Sequence, residues 1–194
     1  MPPDERRAAL IQATLPLVLA QGTEISTRQI AEAAGVAEGT IFRVFPTKDD
    51  LIDAVVANAF DPTDVVEGLQ RIDPSAGLSD RLVAAVLLLQ QRVEQISELL
   101  HAVSGGHRRV HGPAPDHRWA AQESMITDAV AILLEPDRDQ LRCEPREAAR
   151  RLRLISLAMT HPRLTGGDVL AASEVVSLFL DGVRAPLPQE VPSC

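Results

Sequence analysis

The sequence has no tyrosine, one tryptophan and four phenylalanines, so aromatic side chains make up only 3% of its 194 residues. Runs with two-residue alternation are almost absent, and the two shortages together argue against a sheet protein. Long apolar runs are also missing. The longest, Leu82 to Leu89, is far short of the roughly 20 residues a membrane-spanning helix needs, so no membrane partner is expected. Only two cysteines occur, Cys143 and Cys194, without C-x-x-C spacing, and they read as free thiols rather than a metal or redox site. The segment from Met1 to Arg7 lacks the basic-then-apolar pattern of a secretory signal, so a cytoplasmic location is expected. Positive charge is scarce as well: the formal net charge is -8, and Lys48 is the only lysine. That balance excludes a chain that coats nucleic acid by bulk electrostatics, and any contact with a polyanion must rest on a local basic face.

What is present is a chain 45% hydrophobic and 24% charged, long enough to bury a core in one large domain or two small ones. Its periodicity is helical, and the expected fold class is all-α. From Asp4 to Gln21, Leu10, Ile11, Leu15, Val18 and Leu19 recur at three and four residues, with Gly22 placed as a stop. Pro16 inside this helix removes a backbone hydrogen bond, and a kink or a local distortion is expected there. Ser26 and Gln29 fit a capping box that starts a short second helix, which Gly35 ends. A third segment, Glu38 to Phe45, runs into Pro46; Thr47, Asp49 and Asp50 then cap a fourth helix that reaches Asp61. Longer helices are predicted for Leu78–Val103, Trp119–Leu134, Pro145–Thr160 and Asp168–Val183. The expected organisation is a small helical domain over 1–60, a larger helical domain over 61–185 and a flexible tail over 186–194.

Two short helices joined by a tight turn with a glycine have the layout that lets one helix enter a major groove while the other braces it. In the second of the pair, Ile41 and Phe45 are four apart and face inward. Glu38, Gly39, Thr40, Arg43 and Val44 are left toward a groove, with Phe42 at the margin. With these residues in place, the chain resembles the TetR family of bacterial transcriptional regulators. The matching stretches are Leu10 to Leu15 with Gly22, Ser26 to Val36, Glu38 to Phe45, and Pro46 to Lys48 with Leu51. The resemblance implies a three-helix helix-turn-helix domain followed by a helical ligand-binding and dimerisation domain. It implies DNA contacts by Arg28 (phosphate or base edge), Thr40 (phosphate and thymine methyl), Phe42 (apolar contact), Arg43 (bidentate to guanine) and Lys48 (phosphate). Arg6 and Arg7 add phosphate contacts from the N-terminal arm. Residues 1–60 nevertheless hold five basic against eight acidic side chains.

The pattern departs from the family at several positions. Phe42 stands where a phosphate-binding tyrosine is usual, and Val44 where a polar ring is usual. Ala37 replaces the serine cap of the recognition helix, and Glu38 adds a negative charge, facing a cytosine amino group or solvent. The resemblance further implies a homodimer that is a repressor released from operator DNA by a small-molecule effector, with the fourth helix transmitting the signal. Leu152, Ile155 and Met159, with Val176, Phe179 and Val183, are the candidate dimer interface. Leu89, Val93, Ile96, Trp119, Met125 and Ile126 are candidate lining for an apolar effector. No cofactor, no metal and no catalytic residue is expected: Ser104, Ser124 and Ser156 lie in no nucleophile elbow. The alternative is a helical metal-binding protein or enzyme using His101, His107, His111 and His117, whose spacings cross a Gly/Pro loop rather than one helix face. A DNA-binding protein without any effector is the third reading.

Overall fold

The computed structural model describes residues 2–105 and 117–183, with side chains described at all of these except 117–119. The regular elements among them are helices, in the order α1 (Pro3–Gln21), α2 (Thr27–Ala34), α3 (Glu38–Val44), α4 (Lys48–Ala59), α5 (Thr63–Gln70), α6 (Leu78–Ser104), α7 (His117–Leu134), α8 (Pro145–Thr160), α9 (Pro162–Thr165) and α10 (Ala172–Val183). Short 3-10 turns occupy Gly22–Glu24 and Glu135–Gln140. The fold is all-α, as composition and periodicity predict. The helical periods place α8 correctly at both ends, and Pro145 at its first turn explains the sharp start. The described chain forms two compact units. The first takes the residues up to Asp61 and returns from Glu94 to Ala120; the second takes Pro62–Val93 and the chain from Ala121 onward. The 186–194 tail and the loop histidines His107 and His111 lie outside the described residues.

In the first unit, α1 runs unbroken through Pro16. Pro16 and Gln12, whose carbonyl loses its usual amide partner, are both exposed, so that carbonyl is open to solvent and the helix continues past the proline. Leu10 and Val18 of α1, Ile30 of α2, Ile41 of α3 and Leu51 and Ile52 of α4 are buried in one core, which locks the three short helices against α1. Leu99 and Val103 from the end of α6 are buried in the same core. Gly22 ends α1 with φ +65° and ψ -146°, a region that only glycine occupies comfortably. A Cβ there would lie 2.9 Å from the Ala102 carbonyl oxygen, so glycine also permits the close approach of α6.

The second unit buries Leu82, Val86 and Leu89 of α6 with Ile126 and Val130 of α7, Leu152 of α8, and Val176 and Phe179 of α10. Arg81, 5% exposed at its side chain, ties three segments together: Nε donates to the Leu133 carbonyl (3.1 Å), Nη1 to the Ala76 carbonyl and Nη2 to Asp137. Two local expectations change. The predicted Asp168–Val183 helix starts at Ala172, because Gly166 (φ +66°) and Gly167 (φ +96°) turn the chain after the short α9. The backbone of Ala171 then donates to the Glu174 carboxylate (3.0 Å), which caps the new start. The helix α5, absent from the sequence reading, follows Pro62 and packs Gly68 against Leu88.

Candidate nucleic-acid interface

The local sequence of the pair α2–α3 fixes its geometry in detail. The Ser26 hydroxyl accepts the Gln29 amide (3.2 Å), and the Gln29 side-chain oxygen accepts the Ser26 amide (2.9 Å), so the predicted capping box is present. Gln29 also donates to Gln21 (3.0 Å), joining α2 to the end of α1. Gly35 adopts the left-handed conformation (φ +64°, ψ 33°), and the Val36 amide bonds back to the Ala31 carbonyl (3.0 Å), which closes the turn between the two helices. Thr47 and Asp50 make a second reciprocal capping box at the start of α4.

Within α3, Ile41 and Phe45 point into the core as the four-residue spacing predicts. Burying Phe45 is worth about 1.5–3 kcal/mol and fixes the roll of the helix. What remains outward is Arg43, exposed, Thr40, half-buried, and Phe42, 50% exposed. Val44 does not point to a groove: it is half-buried and packs against the first unit's core. Arg28 sits in the first turn of α2, exposed, with Nε donating to Glu32 (3.1 Å). An exposed pair of this kind is worth less than about 1 kcal/mol, so a phosphate can replace Glu32 at little cost.

Lys48 is placed differently from a free surface charge. Its ammonium donates to the Thr23 carbonyl (2.9 Å) and the Ile25 carbonyl (3.1 Å), satisfying two backbone groups in the loop between α1 and α2. An ammonium has three donors, so one remains for a phosphate. Lys48 therefore braces the loop that leads into α2 in addition to supplying charge. Arg7 likewise is not a free arm: its guanidinium lies 4.4 Å from the centroid of the Phe45 ring. The exposed Glu38 carboxylate accepts the Thr27 hydroxyl. This link between the first turns of α2 and α3 was missed in the sequence. The signal for it is a hydroxyl and a carboxylate at matching first-turn positions of the two helices. Ala37 makes no side-chain cap bond, as its methyl group requires.

The other candidates distribute unevenly. Leu89 and Ile126 are buried in the second unit's core and Val93 is half-buried. Ile96 instead packs against the first unit's core, and Met125 is exposed. The Trp119 side chain lies outside the described residues. The proposed interface residues Leu152, Val176, Phe179 and Val183 are buried within the chain, and Ile155 and Met159 pack against that core. The stripes read from the sequence are the inward faces of α8 and α10. The exposed apolar residues of these helices are Leu154, Leu157 and Leu178, at 51%, 44% and 55%. His101 is exposed, and among the described residues no group of three or more His, Cys, Asp or Glu side chains is placed to hold a metal.

A braced α2 and an α3 with an exposed polar edge define a helix-turn-helix protein. The sequence profile described as "Bacterial regulatory proteins, tetR family" matches residues 10–55. Over 175 residues the chain is 30% identical to the HTH-type transcriptional repressor Rv3405c of Mycobacterium tuberculosis, covering 77% of this chain and 89% of that one. Over 146 residues it is 38% identical to the HTH-type transcriptional repressor KstR of Mycolicibacterium smegmatis, covering 70% and 68%. A solved TetR-family regulator from Mesorhizobium loti shares the fold, with a TM-score of 0.66 at 18% identity over 95% of this chain and all of that one. The chain belongs to the TetR family of bacterial regulatory proteins and is a helix-turn-helix transcriptional regulator.

Proposed function

We propose that this regulator is a cytoplasmic repressor that binds operator DNA as a homodimer and is released by a small-molecule effector, with no catalytic step. The observation that carries the reading is the edge of α3. Ile41 and Phe45 lock the helix to the core, and Thr40, Phe42 and Arg43 are left on the open side. Arg43 takes a guanine by a bidentate contact, Thr40 a phosphate or thymine methyl, and Phe42 an apolar surface on the sugar-base edge. Arg28 and the third donor of Lys48 hold the phosphates that set the register. The repressor names of Rv3405c and KstR support the direction of regulation. No described helix is long and apolar enough to cross a membrane.

A seven-residue recognition helix reads only a few base pairs, so useful specificity needs two heads on successive grooves. Leu154 and Leu157 of α8 with Leu178 of α10 are the apolar surface we assign to the twofold contact, in place of the buried stripe read from the sequence. The effector acts on the second unit. The element with side chains in both cores is α6, through Leu82, Val86 and Leu89 in one and Leu99 and Val103 in the other. This helix, rather than α4 as the resemblance implied, is therefore the one we assign to transmission, by favouring one of two arrangements according to the effector's differential affinity. The test is selection of fragmented genomic DNA by the full chain, followed by sedimentation of the complex with the selected site. A pseudo-palindrome bound by two chains supports the reading, and Leu178→Asp should leave a monomer with much weaker operator binding. Recovery of unrelated fragments, or of single half-sites bound by one chain, overturns it.

A further inference from the structure

The second unit contains a guanidinium whose hydrogen-bonding capacity is only partly used. Arg153 of α8, 15% exposed at its side chain, donates from Nη1 to the Thr127 hydroxyl (2.6 Å) and from Nη2 to the Glu123 carboxylate, both on α7. A guanidinium carries five N–H donors in a planar fork, and its Nε and one hydrogen on each Nη meet no acceptor among the described residues. Arg81 in the same unit shows what a structural buried arginine looks like: its Nε and both Nη groups are bonded. Burial, and then the positive charge of Arg92 on α6, hold the Arg153 pKa below the ordinary arginine value. The Arg153 guanidinium is thus largely withdrawn from water, with Glu123 as its counter-ion and a second cation, Arg92, near enough to act on it.

The surroundings suit a molecule with one acidic end. Thr127 is buried beside Arg153, and Ser156 and Thr160, three and seven residues further along α8, are buried on the same helical face. Their hydroxyls donate to backbone carbonyls of α8 and keep lone pairs for other donors. Val93, next to Arg92 on α6, and Ile155 and Met159 on α8 are half-buried, which leaves part of their apolar surface uncovered, whereas Leu89 and Ile126 are taken up in the core. Glu123, one-third exposed, is the resident counter-ion and borders solvent.

We propose that the effector is an organic acid with an apolar body, and that its carboxylate takes the open donors of Arg153 by displacing Glu123. The proposal rests on the effector reading above and supplies its missing chemistry. A carboxylate matches the guanidinium fork with two parallel bonds, whereas a neutral amide of the same body leaves desolvated donors without a negative partner.

The test uses matched pairs of octanoate, decanoate, dodecanoate and 1-naphthoate with their primary amides, titrated calorimetrically into the full chain. At least one acid should bind about ten- to a hundredfold more tightly than its amide, the worth of a charge-assisted hydrogen bond. Arg153→Met should abolish that preference, and Glu123→Gln, which removes the competing anion, should tighten acid binding. Equal affinity for acid and amide, no binding of any acid, or an acid preference that survives in Arg153→Met overturns the proposal. Should Arg153→Met fail to fold, unchanged or weaker acid binding by Glu123→Gln overturns it instead. Operator binding is followed in parallel. Acid binding through Arg153 that leaves operator affinity unchanged keeps the site and sinks the effector reading, whereas release by the neutral amides alone keeps that reading and sinks the acid site.

Discussion

Lys48→Met separates two jobs that one side chain performs. In the folded head the ammonium closes two bonds to the carbonyls of Thr23 and Ile25 in a half-buried setting. Hydrogen bonds of this kind contribute about 0.5–1.5 kcal/mol each, more when one partner is charged, and partial exposure keeps them from the upper end. Methionine fills much of the same volume and strands both carbonyls, so a loss of about 2 kcal/mol is expected. For a chain of this length that lowers the melting temperature by about 4–8 °C. The third donor is assigned to a phosphate, and each neutralised phosphate contributes about 0.9 to the salt dependence of binding, or about 1.8 for two heads. Melting curves and operator titrations across a series of salt concentrations read the two effects separately. Unchanged melting refutes the bracing role, and an unchanged salt slope refutes the phosphate contact.

Gly22→Ala should destabilise the chain by at least about 2 kcal/mol, because it combines a backbone region costing about 1–3 kcal/mol with a Cβ placed 2.9 Å from the Ala102 carbonyl oxygen. Gly35→Ala, at φ +64° with nothing within 4 Å of the new methyl, should cost only about 1–2 kcal/mol, and denaturant titration distinguishes the two. Arg81→Met should cost about 3–5 kcal/mol, since it leaves Asp137 without its cation and with only the Gln140 amide as donor, and takes the guanidinium donor from two carbonyls; adding Asp137→Asn should recover part of the loss in the same assay. The Glu147 carboxylate is held down from 4.5 to about 2 by hydrogen bonds from Arg150 and then Arg151. Its folded pKa is depressed, so its contribution is complete above about pH 4.5 and fades as the pH falls toward 2; carboxyl NMR should show its midpoint rise when Arg150 is replaced by glutamine.

Much of the reading head was legible because its signals are local. The caps at Ser26 and Thr47, the turn at Gly35 and the inward pair Ile41 and Phe45 depend on residues within four positions of one another. What was misread depends on partners far along the chain. The stripes of α8 and α10 were correctly located, but periodicity does not say whether an apolar face meets its own chain or a second copy, and here the three exposed leucines lie on the other face. In α6 the apolar stripe is continuous, so nothing local marks where Leu89 serves one core and Leu99 the other. Helix α5 was hidden by Pro62 and by Gly68, a residue that reads as a breaker and serves for close approach to Leu88. The loop histidines attracted attention by number, whereas Arg153, one of four arginines in α8 and the one set between the buried Leu152 and the exposed Leu154, gave no local sign that its side chain is largely buried.

The central claim is that the exposed edge of α3 reads DNA sequence. Operator affinity of Arg43→Ala, measured against a set in which each base pair of the selected site is changed in turn, tests it most directly. Loss of discrimination worth about 1–3 kcal/mol at one position in each half-site, with melting unchanged, is the predicted result. A variant that distinguishes every substituted site as the unaltered protein does would contradict the account.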